Sequence, residues 1–148
     1  MTLDNLLRIG QLKAHPVDAR EIRELLDAAR RNLADSRVES ISIENRFDAA
    51  YKCIMQCALA SLLAHGYRPD TKKPGHHQTA IQALSKTLSA APARIATLDA
   101  LRSKRNLADY TGRAIDTSSL RACIAEAERL LDDVEAMLAK MPAGGTQA

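Results

Sequence analysis

The chain has 148 residues and a formal net charge of +3, with 46% hydrophobic and 26% charged residues. This is the balance of an ordinary globular domain, so it excludes a disordered chain and leaves little room for a second domain. Aromatic residues make up 3% and Trp is absent, which argues against single-strand binding by base stacking. The mild positive charge permits contact with RNA or an acidic partner without requiring either.

Three cysteines, Cys53, Cys57 and Cys123, bear on the compartment. Their odd number disfavours a disulfide framework, and their spacing includes no C-x-x-C pair and does not suit a zinc site. The first residues lack the basic flank and apolar run of a signal peptide. No window approaches the roughly 18 uncharged apolar residues of a spanning helix. We therefore expect a cytoplasmic protein that binds no metal or cofactor and does not enter a membrane.

Leucines at positions 3, 6 and 7 predict a short leading helix that stops near Gly10 or before Pro16. A 3.6-residue apolar period predicts the next helix over about 17–35. A third helix is expected from Ile43 to His65, with a serine N-cap at 40 or 42 and a stop at Gly66. Its broad apolar surface suggests the central helix of a bundle, or a second buried face used for dimerisation.

In the second half of the chain, segments that interrupt helices alternate with segments whose apolar residues recur at helical spacing. Residues 67–75 hold two prolines, a glycine and four charges, which predicts an exposed loop. A helix is predicted to begin at His76. Pro92 separates it from the next helix, which continues toward Tyr110 and stops at Thr111-Gly112. Asp116 or Thr117 caps a last helix that ends before residue 142.

No segment shows sustained strand alternation, so the predicted fold class is all-α. We expect an up-and-down antiparallel bundle of four to five helices plus the short N-terminal helix. The predicted organisation is a lead-in over 1–16, the bundle over 17–141 and a disordered tail over 142–148.

One stretch of the predicted fifth helix carries more polar and charged residues than packing in a core requires. Arg102, Arg105, Asn106 and Asp109 recur at spacings of three and four, so they share a helical face, and Tyr110 joins its edge. Such a strip can hold a phosphodiester, because guanidinium groups match phosphate oxygens. The alternative is a structural network in which Asp109 pairs with Arg105 and Tyr110 covers the end of the bundle.

Other residues capable of chemistry give weaker signals. His65, His76 and His77 fall at predicted helix ends, where capping and loop packing explain them, and nothing in the sequence places them beside Arg105. No nucleophile elbow and no glycine-rich phosphate loop is present in the sequence.

Three segments follow one another along the chain: RFDAAY at 46–51 with QCA at 56–58, GHH at 75–77 with IQAL at 81–84, and RNLADY at 105–110. Together they resemble the HEPN superfamily, small helical bundles of prokaryotic toxin–antitoxin and nucleotidyltransferase-linked systems. The first resembles the family's long second helix, and the second a turn and helix that often open with histidine. The third resembles the family's Arg-Asn-x-x-x-His signature.

The resemblance implies a homodimer that acts on RNA without a metal. In active members Arg and His from two subunits assist attack of the 2′-hydroxyl on the neighbouring phosphate. Carried over, Arg105, Asn106 and Tyr110 would be the catalytic residues. Arg102 and Asp109, which share the same helical face, are the predicted RNA- or phosphate-binding residues beside them.

Tyr110 stands where the signature has histidine. An ordinary phenol has a pKa of about 10 against about 6.5 for imidazole, so it is a poor general base at neutral pH. Catalysis is therefore left open. The alternatives are a non-catalytic HEPN module that binds a nucleotidyltransferase or antitoxin partner, and a plain helical adaptor.

Overall fold

In the computed structural model, which describes residues 2–141, local sequence sets where the helices begin and end. Ser42 caps one helix by accepting from Asn45 N at 3.1 Å, and Asp116 caps another by accepting from Ser119 N at 3.0 Å. Gly112 ends a helix at φ +68°, the left-handed region that glycine adopts without strain. The elements are α1 (Leu3–Arg8), β1 (Leu12–Ala14), α2 (Ala19–Ser36), α3 (Ile43–Ala64), β2 (Tyr67–Pro69), α4 (His76–Thr87), α5 (Pro92–Thr111) and α6 (Thr117–Lys140).

Helix α3 lies at the centre of the bundle. It packs against α2 and α6 most extensively and also against α4 and α5. Phe47, Tyr51 and Ile54 on α3 are each at most 1% exposed, so this helix is buried on several sides. The all-α prediction is confirmed, with six helices in the described residues.

Two short strands were not predicted. Leu12 pairs with Pro69 and Ala14 with Tyr67 in an antiparallel register, so the expectation of an exposed loop was wrong for 67–69. Three-residue strands are too short to show alternation, and their pairing joins segments more than fifty residues apart. The pairing holds the N-terminal segment against the bundle and buries Leu12.

Although no window of the sequence was predicted to come close to a spanning helix, an 18-residue stretch of α3 is apolar enough to cross a membrane, with a mean hydropathy of 1.2. In that stretch 67% of the residues are buried inside the fold, as expected of the central helix of a bundle. The tail predicted over 142–148 lies outside the described residues.

Candidate functional site at the α3, α4 and α5 junction

Arg105 links α5 to α3. Its Nε donates to Asp48 Oδ1 at 2.9 Å, and its guanidinium carbon lies 5.0 Å from the centroid of the Tyr51 ring. The same Nε lies 3.7 Å from Asp109 Oδ2, so the expected i,i+4 pairing is present. Burial lowers the pKa of Arg105, but the hydrogen bond and charge of Asp48 more than compensate, so its net pKa is raised and Arg105 stays charged.

Arg102, one turn earlier, is held in the same manner. Its Nε donates to Asp99 Oδ1 at 2.8 Å, and this bond raises the pKa of Arg102. Within residues 2–141 the terminal Nη groups of Arg102 and Arg105 have no hydrogen-bond acceptor. In that range the fully buried, unpartnered side-chain nitrogens and oxygens belong to Arg94 and Glu126. The free Nη groups of Arg102 and Arg105 therefore reach solvent.

Tyr51 and His77 connect α3 to α4 beside these arginines. Tyr51 Oη and His77 Nδ1 lie 3.1 Å apart, and Tyr51 is 1% exposed. Burial raises the pKa of Tyr51 to about 12, although Arg105 and Arg102 lower it. The pKa of His77 is lowered by burial and then by the charges of His76, Arg105 and Arg102. His77 is therefore a neutral imidazole near two guanidinium groups.

The remaining residues of the predicted strip differ in how far they are exposed, although Asp109 stays beside Arg105. Asn106 is half-buried, whereas Asp109 is exposed. Tyr110 is 91% exposed, so the alternative in which it covers the end of the bundle was wrong on this point. Leu107, three residues before Tyr110, is also exposed. The α5 sequence thus forms two surfaces, one of arginines facing α3 and one of Leu107 and Tyr110 facing solvent.

A shallow cleft of about 160 Å³ lies between the N-terminal half of α3 and the end of α5. Three carboxylates and two guanidinium groups line it, so its side chains carry a mixed charge rather than a positive one. In residues 2–141 no cluster of three or more His, Cys, Asp or Glu side chains has the arrangement of a metal site. The charged lining residues are Glu44, Asp48, Arg105, Asp109 and Arg113.

Sequence reasoning left three residues of this junction out of the predicted site: it did not single out Asp48 or Tyr51, and it assigned His77 to capping and loop packing. His65 does have the expected local role, with Nδ1 2.8 Å from Ser61 O near the end of α3. His77 differs, because it reaches Tyr51, which itself lies under Arg105. A signal was present in the sequence, since the segments at 46–51, 75–77 and 105–110 that carry the family resemblance all meet here.

Comparisons of this chain with protein-family models, with characterised proteins and with solved structures found no match. Membership of the HEPN superfamily therefore stays a prediction.

Proposed function

We propose that this chain is a HEPN-type helical domain of a toxin–antitoxin or defence-type system that binds RNA as a homodimer. The supporting observation is that Arg102 and Arg105 are each held by a carboxylate through Nε alone. Their terminal Nη groups are left for an external acceptor. Paired N–H groups of guanidinium match the oxygens of a phosphate, which makes the RNA backbone the best-suited ligand.

The carboxylates orient both arginines before a ligand arrives. Asp99 and Asp48 hold Arg102 and Arg105 at 18% and 25% side-chain exposure, so little rotamer freedom remains to be lost on binding. The same carboxylates offset the positive charge, which limits long-range attraction. Two phosphate contacts to a single strand correspond to a salt-dependence slope of about −1.4 in log affinity against log salt.

Binding is proposed without rapid cleavage. Tyr110, at the position of the signature histidine, is 91% exposed. The α5 surface therefore lacks the imidazole that would take the proton of a 2′-hydroxyl. Arg105 is left to bind the phosphate rather than to complete a catalytic pair.

The direct test is fluorescence anisotropy with a short labelled single-stranded RNA. We expect Arg102→Lys and Arg105→Lys each to weaken binding by about fivefold, because lysine keeps the charge but loses the paired donors. Arg129→Lys on the exposed face of α6 is the matched control and should bind like the parent protein. Equal affinity for all four proteins would refute the phosphate role.

Cleavage and assembly are measured on the same samples. RNA incubated in EDTA is expected to stay intact with the parent protein. Metal-free cleavage that disappears in Arg105→Ala would instead establish a ribonuclease.

Light scattering after size exclusion should give the mass of a dimer, and a monomer at all concentrations would remove that part of the proposal.

A second candidate function is a non-catalytic module that docks on a protein such as a nucleotidyltransferase or an antitoxin. The supporting observation is the exposed pair Leu107 and Tyr110, at 48% and 91%, which lie three residues apart on one face of α5. We expect Leu107→Ser with Tyr110→Ser to abolish co-purification with a transferase encoded nearby. Val38→Ser, at a 43% exposed apolar residue elsewhere, is the control that should leave capture intact.

A further inference from the structure

The hydroxyl of Tyr51 has one acceptor to which it can donate. Tyr51 is 1% exposed, and within residues 2–141 its hydroxyl has a single hydrogen-bond partner, His77 Nδ1 at 3.1 Å. Burial keeps the pKa of Tyr51 near 12, so the phenol holds its proton at neutral pH. A buried O–H that donates to nothing is costly, so the proton of Tyr51 points at Nδ1.

This hydrogen bond sets the tautomer of His77. A neutral imidazole carries one proton, and an Nδ1 that accepts from Tyr51 leaves that proton on Nε2. His77 Nε2 has no hydrogen-bond partner within residues 2–141, and it is not among the fully buried, unpartnered nitrogens of that range. His77 therefore presents an Nε2–H donor toward solvent.

We propose that His77 is a third phosphate-binding residue, whose Nε2–H joins the free Nη groups of Arg102 and Arg105, with Tyr51 as the positioning residue. The proposal deepens the RNA-binding function above and rests on it for the identity of the biological ligand. Tyr51 connects Arg105 with His77, because its ring lies under the Arg105 guanidinium and its hydroxyl is hydrogen-bonded to His77 Nδ1.

The chemistry of the cluster selects an oxyanion. Its three groups offer N–H donors and no acceptor to a ligand, since Nδ1 of His77 is occupied and guanidinium has no lone pair to give. Asp48 and Asp99 offset part of the charge of the two guanidinium groups, but the donors left free still favour a charged acceptor over a neutral one and over a cation. The chemistry shared by all candidate ligands is the non-bridging phosphoryl oxygen, of a diester within RNA or of a terminal monoester.

The tautomer is measured first, in the parent protein, by long-range proton–nitrogen correlation of a uniformly nitrogen-15-labelled sample. We expect His77 at neutral pH to show a protonated Nε2 and an unprotonated Nδ1. The Nδ1–H tautomer, or an equal mixture of the two, would overturn the role of Tyr51. This measurement needs no ligand and no variant, so it does not depend on RNA binding or on the folding of a variant.

Ligand binding is then followed through the His77 resonances with three probes: the diester UpU, the monoester UMP and uridine. UpU is expected to shift the Nε2–H resonance, and uridine to leave it unchanged. A shift by UMP in place of UpU would assign the site to terminal phosphates. An unchanged His77 resonance with both phosphorylated probes would overturn the phosphate role.

Variants of His77 distinguish a hydrogen-bond donor to the ligand from a residue with only a structural role. The amide nitrogen of glutamine can replace the Nε2–H donor, whereas that of asparagine lies nearer the position of Nδ1. We expect His77→Asn to weaken UpU binding by about fivefold and His77→Gln to retain most of it. His76→Asn is the matched control and should bind like the parent.

Failure of this proposal differs from failure of the proposed function. RNA binding that needs Arg102 and Arg105 but tolerates His77→Asn removes His77 alone. If the protein binds UpU through His77 but does not bind longer RNA, the phosphate-binding cluster would stand and the RNA-binding function would be refuted.

Discussion

Arg105 on α5 and Asp48 on α3 are joined by a single hydrogen bond, from Nε to Oδ1 at 2.9 Å. This contact uses Nε alone and, in the described part of the chain, leaves the two Nη groups of the guanidinium free of hydrogen bonds. Asp48 therefore acts in two opposite ways, because it orients Arg105 and also reduces the positive potential that a phosphate would meet.

The substitution Asp48→Asn separates those two effects. Asparagine keeps an oxygen that can accept from Arg105 but removes the negative charge. We expect RNA affinity to rise modestly, and the free energy of unfolding to fall by about 0.5–1.5 kcal/mol because the pair is partly exposed. Anisotropy and urea denaturation measure the two quantities. Asp27→Asn, at an exposed pair with Arg30 on α2, is the control, and weaker RNA binding by Asp48→Asn would contradict the expectation.

The aromatic residues Tyr110 and Phe47 should respond oppositely to truncation. Tyr110 is 91% exposed, so Tyr110→Ala is expected to change the free energy of unfolding by less than about 0.5 kcal/mol. Phe47 is 1% exposed in the core, so Phe47→Ala should lower it by about 3–5 kcal/mol. Urea denaturation compares the two directly. A large loss with Tyr110→Ala would show that this side chain packs on something that stabilises the fold, such as a second subunit.

Stability should depend on pH through His77. Its pKa is lowered in the folded chain, first by burial and then by the charges of His76, Arg105 and Arg102, and its Nδ1 also accepts from Tyr51. The unfolded chain then binds the proton more readily than the folded one. The stability that neutral His77 contributes to the folded chain is thus fully present above the pKa of His77 in the unfolded chain, about 6.5. It is lost as pH falls through the lower pKa of His77 in the folded chain.

The check is the thermal midpoint measured from neutral to mildly acidic pH in the parent protein and in His77→Gln. The parent should lose more stability than the variant as the pH falls. His76→Gln is the matched control, since His76 lacks the bond to Tyr51. Parallel curves for the parent and His77→Gln would contradict the assignment.

The three thiols are expected to be unreactive in the native protein. Cys53, Cys57 and Cys123 are each 0% exposed, and burial raises the pKa of Cys123 to about 12, which suppresses its thiolate. A chromogenic disulfide reagent should therefore modify none of them under native conditions and all three in denaturant. Rapid modification of one thiol in the folded chain would show that the α3 and α6 interface opens.

Helix limits were predictable because capping is local. Ser42 and Asp116 accept from backbone nitrogens three residues later, and Gly112 takes the left-handed conformation at the end of α5. These interactions need no information from elsewhere in the chain. The central position of α3 was also visible, since its apolar residues exceed what one helical stripe contains.

The sequence by itself determined the helices, their caps and the face shared by Arg102 and Arg105, because each depends on residues within one or two turns. The tertiary structure alone decided the pairing of β1 with β2, the contact of Arg105 with Asp48 and the bond between Tyr51 and His77. Helical periodicity says which side chains share a face, but not which element that face packs against. Hydrogen bonds at a helix junction form only once packing has set the separation and rotation of the helices, which is why the sequence offered His77 but could not place it beside Tyr51 and Arg105.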